Sequence, residues 1–180
     1  MTDHHDSLDF AVDHDAPIPY MQRISTYYRT LGYGKPYQWA HYAQVPFTRL
    51  RKPLADSRIA LITTAAPFNP EAGDQGPRAP YNSAAKFYRV YSQSIDGEPD
   101  VRISHVGIDR KHTSAEDPGS WFPLAQMKRL AAEGRIGEVA PRFHGAPTNR
   151  SQRTTIEQDC PDLLAAVRAD GADAVVLAGN

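Results

Sequence analysis

The chain has 180 residues, 41% of them hydrophobic and 23% charged, with 20 basic and 21 acidic side chains giving a formal net charge of −1. These values predict a globular chain able to bury a core of its own and exclude a wholly disordered one. The charge balance gives no support for a nucleic-acid partner, and no apolar run approaches the roughly 20 residues that span a bilayer, so no membrane partner is expected. The sole cysteine, Cys160, rules out a disulfide within the chain and a thiolate zinc site. The simplest reading is a reduced, cytoplasmic protein.

Residues 1–17 read as a flexible tail. Asp3, His4, His5, Asp6, Asp9, Asp13, His14 and Asp15 crowd it, and such a segment cannot offset its ordering entropy by burial. Residues 18–56 read as a helical and aromatic extension. Met21, Ile24, Tyr28 and Leu31 fall on one face of a helix over 19–31, which Gly32 and Gly34 can end. The aromatic stretch from Lys35 to Tyr42 has no clear period. It suits either packing within the chain or contact with a partner subunit.

Residues 57–180 read as an α/β lobe. The apolar run from Arg58 to Thr64 predicts a buried parallel strand. Residues 66–84 carry four prolines and predict a long loop. Lys86–Ser92 and Val101–Ile108 predict strands joined through a turn at Asp96–Asp100. A helix is expected to about Ala132, with Ser120 as its N-cap, Pro123 in its first turn and Gly134 just past its end. Residues 137–155 read as a polar loop, 160–170 as a second helix with Cys160 on its apolar face, and Ala172–Asn180 as a closing strand. The expected fold class is therefore α/β, a mostly parallel sheet flanked by helices in a Rossmann- or flavodoxin-like lobe, with an irregular N-terminal extension.

In open sheets of this class, ligands sit beyond the carboxyl ends of the strands. That rule singles out Thr64 and His105 at strand ends. The loop carrying Arg142, His144, Asn149 and Arg150 is the richest polar segment. Its guanidinium groups suit a carboxylate, since arginine binds one bidentately. The same residues also suit a solvated loop with local turn hydrogen bonds. No metal site is expected, because His105, Asp109, His112 and Glu116 have no spacing that fixes a coordination geometry. No nucleophile elbow, Walker loop or GxGxxG motif occurs.

Several segments taken in order carry a resemblance: Val45–Leu54 leading into Arg58–Thr64, then Trp121–Leu124, Leu130–Gly137, Ala140–His144 and Asp170–Asn180. Over roughly residues 44–180 the chain resembles the selenoprotein B family of glycine, sarcosine, betaine and D-proline reductases. The resemblance implies a component that reductively cleaves a carbon–nitrogen bond α to a carboxylate by means of a selenolate or thiolate. It implies partner reductase subunits, one bearing a pyruvoyl group in the amine-type members, and a small carboxylate-bearing substrate. A homo-oligomer is also compatible with it.

In that family the selenocysteine or cysteine lies just beyond the strand matching Ala172–Asn180. This sequence carries no such residue, so its catalytic nucleophile is unknown and is expected downstream of Asn180. A reading frame closed at a selenocysteine UGA codon would produce such a chain, which is expected to be inert alone. The alternative is a small non-catalytic binding or protein-interaction module, with residues 20–42 and 66–84 as its contact surfaces.

Overall fold

The computed structural model describes residues 19–34, 42–46, 48–73, 75, 86–104, 116–148 and 151–179. The chain divides into two units between Val45 and Pro46. In the first, helix α1 spans Tyr20–Thr30 and ends at Gly32, whose φ of 82° is a left-handed conformation that glycine adopts without strain. Ile24, Tyr28 and Leu31, aligned as the periodicity predicts, are all exposed. Tyr28 stacks edge-on with Tyr27 and with Tyr33, each at 5.6 Å between ring centroids.

The second unit is built on strand β1, Arg58–Thr63. Its run of Ile59, Ala60, Leu61 and Ile62 is apolar on both sides, as a strand covered on both faces requires. β1 pairs in parallel with β5, Glu138–Gly145, and with β6, Ala174–Ala178. β3, Tyr91–Ser94, adds to β5 in antiparallel fashion. The strand order β3-β5-β1-β6 gives a mixed, mostly parallel sheet, so the fold is α/β. β2, Ala66–Pro67, and β4, Val101–Arg102, form a separate antiparallel pair.

Helix α2, Leu124–Ala132, covers one face of the large sheet. Leu124 and Met127 join Ile59, Leu61, Trp121, Phe122, Ile136 and Phe143 in the main core. Phe122 meets Phe143 edge to face at 4.7 Å between centroids. Helix α4, Cys160–Ala169, lies on the other face, where Val167 packs with Ala60 and Ala140.

Several elements differ from expectation. The largest difference is β5, whose residues were expected in the polar loop 137–155. Ala140, Phe143, His144 and Gly145 are buried in it, and buried polar residues hide a strand from a hydrophobicity pattern. Pro141 is tolerated because the β1–β5 register shifts between Ile59 and Leu61, a bulge where a missing N–H does no harm. The 66–84 loop begins with β2, and the 86–92 strand starts later, at Tyr91. Ser120 is not a helix cap: it closes a 3-10 turn, Pro118–Ser120, in which the Gly119 N–H donates to the Asp117 side chain.

The second helix begins earlier than expected. Ser151 caps α3, Gln152–Thr154, and the chain stays helical through a π turn, Thr155–Asp159, into α4. Pro161 accounts for the π turn, since it lacks the N–H that would bond one turn back. Gly134 and Gly171, both at φ 67°, end α2 and α4 as expected.

Candidate functional site

The carboxyl ends of β1, β5 and β6 converge. Ala146 N–H donates to Thr63 O at 2.8 Å, and Thr64 N–H to Ala178 O at 3.2 Å. Thr64 thus stands at the predicted strand end, beside Gly179. A Cβ on Gly179 would lie 3.0 Å from Thr64 Cγ2, so the glycine permits this close approach. Thr63 is buried, with Oγ1 donating to Trp121 O at 2.9 Å and accepting from Ala65 N–H at 3.1 Å. Tyr91 lies across Gly145, where any Cβ would overlap its ring, and its hydroxyl donates to Ala65 O at 2.7 Å. Burial pushes the Tyr91 phenol well above its usual range, so it acts as a neutral donor.

A polar array occupies the face of α4. His144 follows Phe143 in β5, and successive side chains of a strand alternate faces. Phe143 therefore enters the aromatic core while His144 shares the register position of Ile62, which packs with Val167 of α4. His144 is fully buried. Its Nδ1 lies 2.8 Å from Ser92 Oγ, directly across the β3–β5 ladder. Its Nε2 lies 3.1 Å from Asp170 Oδ2, a charge contact off the hydrogen-bond axis, so neither atom has an aligned hydrogen-bond partner among the described residues.

Asp170 is buried at the end of α4. Arg142 donates to its Oδ1 from Nε at 2.9 Å and Nη2 at 2.6 Å. Arg58 Nη1 donates to the Asp170 backbone oxygen at 2.7 Å. Burial holds the His144 pKa below its ordinary value, the Asp170 charge opposes that shift, and Arg142 adds to it. The resulting chain, Ser92–His144–Asp170–Arg142, is able to hold a neutral imidazole in one tautomer and pass a proton between it and a hydroxyl.

The structure brings together Arg142 and His144, two of the residues singled out by sequence. Thr64 stands apart from that pair at the end of β1. His105, Asn149 and Arg150 lie outside the described residues. Sequence reasoning missed Ser92 and Asp170. Asp170 precedes a helix-ending glycine and looks like an ordinary cap, and Ser92 has no neighbour in sequence that points to His144. Among the described residues, no group of three or more His, Cys, Asp or Glu side chains is placed to hold a metal ion.

Residues 30–180 match the family model for glycine/sarcosine/betaine reductase selenoprotein B. The chain belongs to this family. It is also 31% identical over 138 residues to the D-proline reductase subunit gamma of Acetoanaerobium sticklandii, an alignment covering 73% of this chain and 52% of that protein. The chain thus spans about half the length of this curated relative. No solved structure matches it. The selenoprotein B match takes in every strand among the described residues and the helices α2 to α4.

Cys160 also differs from expectation. It was expected on a packed face near a helix N-terminus, yet it is exposed and lies inside the continuous helical run that starts at Gln152. The free helix end belongs to Gln152, so Cys160 faces none of the unpaired N–H groups found there. No helix among the described residues is long and apolar enough to cross a membrane.

Proposed function

We propose that this chain serves as a B-type component of a glycine-, sarcosine-, betaine- or D-proline-type reductase, acting with partner subunits on a small carboxylate-bearing substrate in the cytoplasm. Family membership across residues 30–180 carries this reading. The reaction is reductive cleavage of a carbon–nitrogen bond α to the carboxylate. The selenolate or thiolate that supplies the electron pair comes from outside these 180 residues, and the chain alone does not cleave that bond. Cys160 does not fit that role, for the reasons of position given above.

The substrate-binding surface lies at the carboxyl ends of β1, β5 and β6, where Thr64 stands and where the segment carrying Asn149 and Arg150 follows β5. We assign the substrate carboxylate to Arg150, with Asn149 beside it, because Arg142 already commits two N–H groups to Asp170. Arg142 holds Asp170, and Asp170 in turn fixes His144. His144 is too buried to meet substrate directly and exchanges protons through Ser92. His105 follows β4 and is a second candidate for proton transfer.

Mixing the chain with partner reductase subunits and sizing the mixture tests this assignment. A stable complex is expected, with no carbon–nitrogen cleavage of glycine, sarcosine, betaine or D-proline by the chain alone. Elution as a free chain at every ratio would contradict the assignment, and reductive cleavage of any of these four substrates by the chain alone would contradict the need for an outside nucleophile. A non-catalytic interaction module is the second reading, favoured by the exposed Tyr27, Tyr28, Leu31 and Tyr33. Under that reading the chain binds a protein that has no reductase activity.

A further inference from the structure

We infer that Ser92 is a base-activated hydroxyl that takes an acyl group from an activated ester. This goes beyond the reductase reading and needs no partner subunit. Ser92 is exposed on β3, an edge strand, while His144 and Asp170 behind it are buried. Its Oγ lies 2.8 Å from His144 Nδ1, and His144 Nε2 lies 3.1 Å from Asp170 Oδ2. The carboxylate favours a proton on Nε2, which leaves Nδ1 as the acceptor facing Ser92. The two Arg142 N–H bonds to Oδ1 hold the carboxylate beside that nitrogen.

The order serine, imidazole, carboxylate is that of a nucleophilic triad. The ring nitrogens are exchanged relative to the common arrangement, in which Nε2 faces the serine. The tautomer logic survives the exchange, because one nitrogen still carries the proton and the other still accepts one. Burial favours the neutral imidazole, the form able to accept a proton. In the reaction, the Ser92 Oγ–H proton passes to Nδ1 as Oγ bonds to the acyl carbon. The ester oxygen then leaves with that proton. Water repeats the sequence to release the acid and restore Ser92, with no change of oxidation state.

The same strand supplies an internal standard. Ser94 is also exposed on β3, two residues along and therefore on the same side, but its Oγ donates to Asp96 Oδ2 at 2.8 Å and faces no imidazole among the described residues. The full chain is incubated with p-nitrophenyl acetate, and separately with a fluorophosphonate, and adducts are located by peptide mass spectrometry. Ser92 is expected to react on the order of 10²-fold faster than Ser94, the usual scale of general-base assistance. S92A removes that adduct, and H144Q lowers Ser92 to the level of Ser94. His144 is buried, so H144Q is checked for native circular dichroism. The Ser92-to-Ser94 ratio in the unaltered chain decides the matter without it. Equal modification of the two serines, or none at Ser92, would overturn the inference.

Discussion

The two faces of the large sheet are built from opposite materials. The face under α2 is an aromatic and aliphatic core in which Phe143, Phe122, Trp121, Leu61 and Met127 interlock. The face under α4 has small apolar contacts at Ala60, Ala140 and Val167, and beside them His144, Asp170 and Arg142. Phe143 and His144 are neighbours in β5, so a single peptide step separates the two regimes. One face therefore supplies most of the burial energy, which scales with apolar area. The other face holds buried polar groups that cost stability unless they are paired. Retaining them on the less apolar face is what a division between folding and chemistry predicts.

The strongest way to break this contrast is to remove the centre of the aromatic face. Phe143→Ala leaves a cavity between Phe122 and Tyr91, and a loss of about 3–5 kcal/mol is expected in chemical denaturation. Asp170→Asn tests the polar face. It removes the charge that holds Arg142 and orients His144, at a cost of roughly 2 kcal/mol, because Arg142 is partly exposed and screened. Native-like circular dichroism with a lower denaturation midpoint would fit, and an unchanged midpoint would contradict the pairing. The smallest effect belongs to β6, where Leu177 is 70% exposed on an edge strand. Leu177→Ala should change stability by about 0.5 kcal/mol or less, and a larger loss would mean that Leu177 is covered in solution.

The same contrast explains what the sequence makes legible. β1, α2 and β6 announce themselves through apolar runs and glycine stops, because hydrophobic burial forms them. β5 does not, because His144 and Arg142 interrupt its pattern and their partner, Asp170, is distant in sequence. A polar residue that is buried because it is paired looks, in sequence, like one that is solvated. Arg142 and His144 were legible as candidates from residue type alone, whereas Ser92 and Asp170 emerge only when the strands are in register. The helix start at Gln152 was hidden for a different reason. Pro161 looks like a first-turn proline and in fact follows a π turn inside a continuous helical run.

The protonation state of His144 carries the account of the α4 face. Its folded pKa lies below the ordinary 6.5, so the unfolded chain takes up this proton first as pH falls. The stability due to neutral His144 is complete above that value and declines as pH drops below it. Asp170 draws the proton in, burial and Arg142 oppose it, and Ser92 offers only a neutral hydroxyl. The most direct measurement is a two-bond nitrogen–proton correlation spectrum of the histidine rings at pH 7, with His144 identified by the Nδ1 shift that S92A moves. A neutral ring protonated on Nε2, with Nδ1 accepting from Ser92, is the predicted result. An imidazolium, or a ring protonated on Nδ1, would contradict it.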